Sequence, residues 1–91
     1  MKIVAGYILR HIMDEWIIVP VGERQNIYSS TGMLYLSESS AMLWKKLEQG
    51  ANEDSLVDLL CEYYSIGRDI AVTDVSELLE ILGKHRLLLK D

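Results

Sequence analysis

Two periods divide the chain. In the first third, β-branched and aromatic residues form short runs; from Ser37 onward apolar residues recur at helical spacing. Tyr7-Ile8-Leu9-Arg10-His11-Ile12 alternates in part, Met13-Asp14-Glu15 reads as a reversal, and Trp16-Ile17-Ile18-Val19-Pro20 reads as a second strand. Pro20 has no N–H for a ladder, so that strand should end there or lie partly at an edge. Residues 22–31 are mostly polar and read as a loop. Gly32-Met33-Leu34-Tyr35-Leu36 is a third short strand.

Ser37 is the N-cap of a first helix, because its hydroxyl can accept from an orphan N–H of the first turn. Ala41, Trp44 and Leu47 then share one face, and Gly50 provides a left-handed stop. Asn52 caps a second helix with Glu53 and Asp54 in its first turn, where negative charge suits the helix dipole. Its stripe is Leu56, Leu59, Leu60, Tyr63 and Tyr64. After a turn at Gly67, Ala71, Val75, Leu78 and Leu82 mark a third amphipathic helix ending at Gly83. Leu87-Leu88-Leu89 is an extended tail that should pack back on the core. The expected elements are strands near 6–12, 15–20 and 32–36 and helices near 38–49, 53–64 and 70–83. Strands first and helices after argue an α+β fold, winged-helix-like, with a three-stranded antiparallel sheet followed by three helices. The expected core is Trp44, Leu47, Leu56, Leu60, Val75, Leu79 and Leu82.

Composition bounds the reading. The chain has 91 residues, enough for one small domain over 1–91, and 49% of them are apolar. No apolar run approaches the roughly 20 residues of a membrane span, and no signal-peptide pattern is visible. The single cysteine excludes an internal disulfide framework, so the expected location is cytoplasmic. The net charge is −5. Residues 1–36 are neutral, whereas the helical half holds six basic and eleven acidic side chains. That half would have to supply the basic stripe of a nucleic-acid binder, so neither nucleic acid nor a membrane is the expected partner.

Candidate chemistry is sparse. His11 and His85 have no second ligand at useful spacing, and Cys61, flanked by Asp58 and Glu62, reads as a small buried hydrophobe. Asp74, Glu77 and Glu80 lie on a polar helix face. Phosphate-loop, zincin and nucleophile-elbow motifs are absent from the sequence. The reading is therefore not an enzyme, with no catalytic residues, no metal and no cofactor. Trp44 belongs to the core and Trp16 to a half-buried sheet position. The third strand is different. It carries no Lys, Pro or inward charge to guard its edge, and an apolar helix should lie beside it. Such an edge accepts another extended chain.

At this point the sequence resembles the PqqD family, small peptide chaperones named after coenzyme PQQ synthesis protein D. The resemblance runs from about Tyr7 to Leu88. It rests on Ile18-Val19-Pro20-Val21-Gly22, Gly32-Met33-Leu34-Tyr35-Leu36-Ser37, Ala41-Met42-Leu43-Trp44 with Leu47, Glu48 and Gly50, then Leu56-Val57, Leu60, Tyr64, Ala71, Asp74-Val75, Leu78-Leu79, Leu82 and Leu87-Leu88. The departures are Ser37 where the family often has Asn, Ser40 where Gly is common, and Leu78 where an aromatic is common. The change at Leu78 bears on which peptide is preferred.

The resemblance implies a recognition element for ribosomally made, post-translationally modified peptides. Such a domain binds the leader of a precursor peptide and presents it to a maturation enzyme, often a radical S-adenosylmethionine enzyme. Carried onto this chain, the peptide-binding strand is Gly32, Met33, Leu34, Tyr35 and Leu36, and the helix wall is Asp74, Val75, Leu78 and Ile81. Alternation sends either Leu34 and Leu36 or Met33 and Tyr35 toward the core, and Asp74 would select against acidic peptide residues. The alternatives are a winged-helix DNA-binding regulator and a homodimerisation module that pairs the same sheet edge with its own copy.

Overall fold

The computed structural model describes residues 1–21 and 34–89. Gly32 and Met33 of the candidate strand lie outside the described residues. The elements, in order, are β1 (Lys2–Ile3), β2 (Tyr7–Ile12), β3 (Glu15–Pro20), β4 (Leu34–Leu36), α1 (Glu38–Glu48), α2 (Glu53–Tyr64), α3 (Arg68–Lys84) and β5 (Leu88–Leu89). The expected three-stranded antiparallel sheet followed by three helices is present, in the order β2-β3-β4. A second ribbon pairs β1 with β5 antiparallel and joins the two ends of the described chain. The extended tail at Leu87–Leu89 was expected from the sequence, but β1 and its pairing with β5 were not.

The β2–β3 hairpin turns on Met13 and Asp14, both at positive φ (48° and 68°), as the two-residue turns that match sheet twist require. Asp tolerates this region, whereas Met is an uncommon choice and is 91% exposed there. The reversal is therefore Met13–Asp14, and Glu15 already belongs to β3. β3 ends at Pro20, as its missing donor demands.

The helix boundaries follow local chemistry. The Ser37 hydroxyl accepts from the Ser40 N–H (3.2 Å) and starts α1. Asn52 and Ser55 form a reciprocal capping box at α2. Gly67 starts α3 without a side-chain cap, so the helix begins at Arg68, two residues earlier than its apolar stripe suggests. Gly83 does not end α3. The left-handed residue is Arg86, and the Leu87 N–H returns to the Leu82 carbonyl (2.9 Å), closing the last turn. That closure drives Leu87 into the core and sets the direction of β5.

All seven expected core residues are buried, together with Ile18, Leu43, Val57, Ala71, Leu78 and Leu87. Cys61 is half-buried against this core rather than inside it. Trp44 is fully enclosed, and its indole N–H has no hydrogen-bond partner among the described residues. Outside the core, Arg68 forks onto Asp58 (2.8 Å) and Asp54 (3.7 Å), tying the start of α3 to α2. The hydrogen bond to Asp58 and both carboxylates favour the charged guanidinium, although exposed pairs of this kind add little stability. Among the described residues, no helix is long and apolar enough to cross a membrane.

Candidate peptide-binding edge

β4 is the edge on which the site is built. It pairs with β3 through Trp16↔Leu36, Ile17↔Tyr35 and Ile18↔Leu34. Among the described residues no strand covers its other side, and an uncovered strand edge presents donors and acceptors to a further strand. The register settles the facing question. Leu34 and Leu36 lie against the core with Ile18, while Tyr35 is turned away and is 56% exposed. Leu34, Tyr35 and Leu36 thus present a pleat anchored from below, with open backbone on one flank.

β4 passes through Ser37 directly into α1, and α3 runs past this junction. Between them lies a groove of about 200 Å³. Its α1 side is Ser37, Ser39 and Ser40; its α3 side is Asp74, Glu77, Leu78 and Ile81. The four α3 residues fall at i, i+3, i+4 and i+7, one helical face. The groove lies beside the C-terminal end of β4.

The expected helix wall is thereby sorted. Asp74 and Ile81 are exposed, Ile81 by 42%. Leu78 borders the groove as its floor and is only 3% exposed. Val75 is 1% exposed, sits in the core and does not border the groove. The reason is geometric: Val75 and Leu82 lie a turn either side of Leu78–Leu79 on the stripe that faces α2, while Asp74 and Ile81 lie one position off it. Glu77, Ser39 and Ser40 were not singled out from the sequence. Glu77 was within reach of the same spacing argument, three residues after Asp74; the serines show only when β4 and α1 are joined in space.

A second cleft, of about 460 Å³, opens where the sheet ends. Its floor is the cross-strand row His11, Trp16 and Leu36, and its rim carries Asp14, Glu15 and Glu38. Trp16 is a fixed wall. His11 stacks on it (4.1 Å between centroids, 5° between planes) and the Lys45 ammonium sits 4.4 Å from its ring centre. On the far side of Trp16, Tyr63 and Tyr64 close a smaller pocket with Met42 and Lys45. Desolvation raises the Tyr64 phenol above its ordinary pKa, and the charges of Glu38 and Tyr63 add to the effect. Among the described residues, no group of three or more His, Cys, Asp or Glu side chains is placed to hold a metal ion.

An open edge strand flanked by a helix is a scaffold for β-strand addition. The family described as Coenzyme PQQ synthesis protein D (PqqD) matches residues 15–88. The chain belongs to the PqqD family. The resemblance seen in the sequence is thus confirmed over most of the chain. TbiB1, whose structure is solved in complex with the TbiA(beta) leader peptide, is 26% identical and superposes with a TM-score of 0.75, covering 100% of both chains. Lasso peptide synthetase B1 complexed with the leader peptide is 16% identical with a TM-score of 0.74 over 98% of this chain and 96% of that one. The second likeness speaks to the fold. No curated protein sequence matches the chain.

Proposed function

We propose that this PqqD-family chain is a non-enzymatic peptide chaperone that binds the leader of a ribosomally made precursor and presents it to a maturation enzyme. The domain spans residues 1–91 and acts in the cytoplasm. The leader adds as a strand to β4, with Leu34–Leu36 as its template and the groove beside α3 receiving its side chains. The observation that carries this reading is the β4 edge next to Leu78 and Ile81, uncovered among the described residues, in a chain alike over its full length to a protein solved with a leader peptide. Backbone hydrogen bonds supply affinity, and every second peptide side chain reaches toward the protein and supplies specificity. Affinity in the micromolar to nanomolar range corresponds to about −8 to −12 kcal/mol. The partner enzyme, of the radical S-adenosylmethionine type or another, then acts on the core that follows the leader.

The test is co-expression of a cognate precursor and its maturation enzyme, with and without the chain itself. Modification of the precursor should drop sharply without it and return when it is added in trans. Undiminished modification in its absence would contradict the presenting role.

A further inference from the structure

The three-stranded sheet has two faces, and the core uses one. Tyr7, Leu9, Ile18, Leu34 and Leu36 belong to that face and pack with the helical core. Alternation puts Ile8, Arg10, Ile12, Ile17, Val19 and Tyr35 on the opposite face. A sheet face left to solvent normally turns polar by the same alternation. Here Arg10 is the one charged residue of the six. Ile8, Ile12 and Tyr35 are exposed. Ile17 is buried yet lies outside the core cluster, between Arg10 and Tyr35 in its cross-strand row. Next to Ile12 the hairpin tip adds Met13, almost fully exposed and held in left-handed backbone, which costs a methionine stability. An apolar surface of this kind, ending in a strained and outward methionine, marks a contact with another molecule.

Size, charge and continuity select the occupant. Three strands about 4.8 Å apart and about 20 Å long cover roughly 300 Å². A stable pair of proteins buries about 800 Å² on each side, so this face alone does not hold a second copy. Two chains of net charge −5 also repel. The face does not stop at β4, however. A leader strand on the open β4 edge lies next to Tyr35, and its alternate side chains, those turned away from the α3 groove, continue the same surface. A protein that grips both the face and the leader gains the missing area. Arg10 stands in the middle row and makes no ion pair among the described residues, so a carboxylate on the partner complements it.

We infer that the outer face of the sheet, from Met13 and Ile12 through Arg10 to Tyr35, docks the maturation enzyme, and that the enzyme binds the leader-loaded chain more tightly than the empty one. The matching surface of the enzyme is apolar, with a carboxylate opposite Arg10. This rests on strand addition at β4 and goes beyond it by assigning the receiving protein to a surface that the leader does not occupy.

The experiment measures binding of a purified cognate maturation enzyme to the full chain, with and without its synthetic leader. The variants are Met13→Asn, Ile12→Lys and Arg10→Glu. Asparagine suits the left-handed turn, a lysine at 12 stands opposite Glu15, and Arg10 is exposed, so the fold should be retained in all three. Each variant should bind the leader within about twofold of wild type and the enzyme about tenfold more weakly. Met13→Asn is the sharpest of them, because it should weaken docking while raising the unfolding temperature. Leader should tighten enzyme binding to the wild type by about fivefold or more. Unchanged enzyme binding in Met13→Asn and Ile12→Lys, or no gain on adding leader, would overturn the inference; amide shifts at Leu34–Leu36 with leader would then leave strand addition standing. Absence of those shifts would overturn strand addition and the inference with it. A wild-type dimer in sedimentation that Met13→Asn and Ile12→Lys dissociate would give the face to a second copy and overturn the inference alone.

Discussion

The molecule treats its two small β regions in opposite ways. The β1–β5 ribbon is closed. Its strands pair with each other, the Val4 N–H donates to the Leu87 carbonyl (2.8 Å), the Ala51 N–H donates to the Met1 carbonyl (2.9 Å), and Leu87 is sealed in the core. β4 is open. Its apolar side chains are anchored on the core, yet along its described residues one flank has no strand partner. The first arrangement spends its backbone groups on stability. The second holds them in reserve at a place rigidified from beneath, which is what a strand acceptor needs. Mutations in closed parts should therefore act on folding, and mutations along the open edge should act on binding.

The largest expected effect is Leu78→Lys. The family resemblance put Leu78 on the peptide-facing wall, but its near-complete burial makes an unpaired charge there cost about 3–5 kcal/mol of stability. A chemical denaturation midpoint close to wild type would show that the side chain swings out into the groove. Next come Leu60→Ala and Leu87→Ala, each expected to cost about 2–5 kcal/mol. A loss below about 1 kcal/mol at Leu87 would mean that the β1–β5 closure is marginal. Ile81→Lys should stay within about 0.5 kcal/mol of wild-type stability because Ile81 is exposed, yet should weaken leader binding about tenfold. Unchanged affinity by fluorescence anisotropy would take Ile81 out of the site. The smallest effect is at the hairpin. Met13→Asn relieves a left-handed methionine whose side chain packs on little, and should raise stability by about 0.5–1 kcal/mol in thermal unfolding.

How much of this was legible in the sequence depends on the range over which each signal acts. The helices were readable because their signals are local: Ser37 and Asn52 cap where their side chains reach the following N–H groups, and α2 runs over residues 53–64 as its stripe indicates. Gly83 misled because glycine also sits inside helices, and the true stop needed Arg86 in a left-handed turn with the buried Leu87 behind it. The extended tail at 87–89 was readable, but its pairing with β1 was invisible. Two residues cannot show a period, and the pairing joins Lys2 to Leu89 across almost the whole described chain. The candidate site was proposed in outline from an unguarded strand, a helical stripe and the family resemblance. Its details were not legible, because a one-position rotation of α3 decides that Val75 is core and Glu77 is groove. The acidic cleft at the sheet end joins the β2–β3 turn to the start of α1, and only the folded chain brings them together.

The central claim is that an extended peptide pairs with β4. The most direct measurement is a titration of the isotopically labelled chain with the synthetic leader of a cognate precursor, read at the backbone amides. Leu34, Tyr35 and Leu36 should shift together with Asp74, Glu77 and Ile81, and the β4 amides should gain protection from hydrogen exchange in the complex. Shifts confined to α1 and α2, with 34–36 unmoved and unprotected, would contradict it.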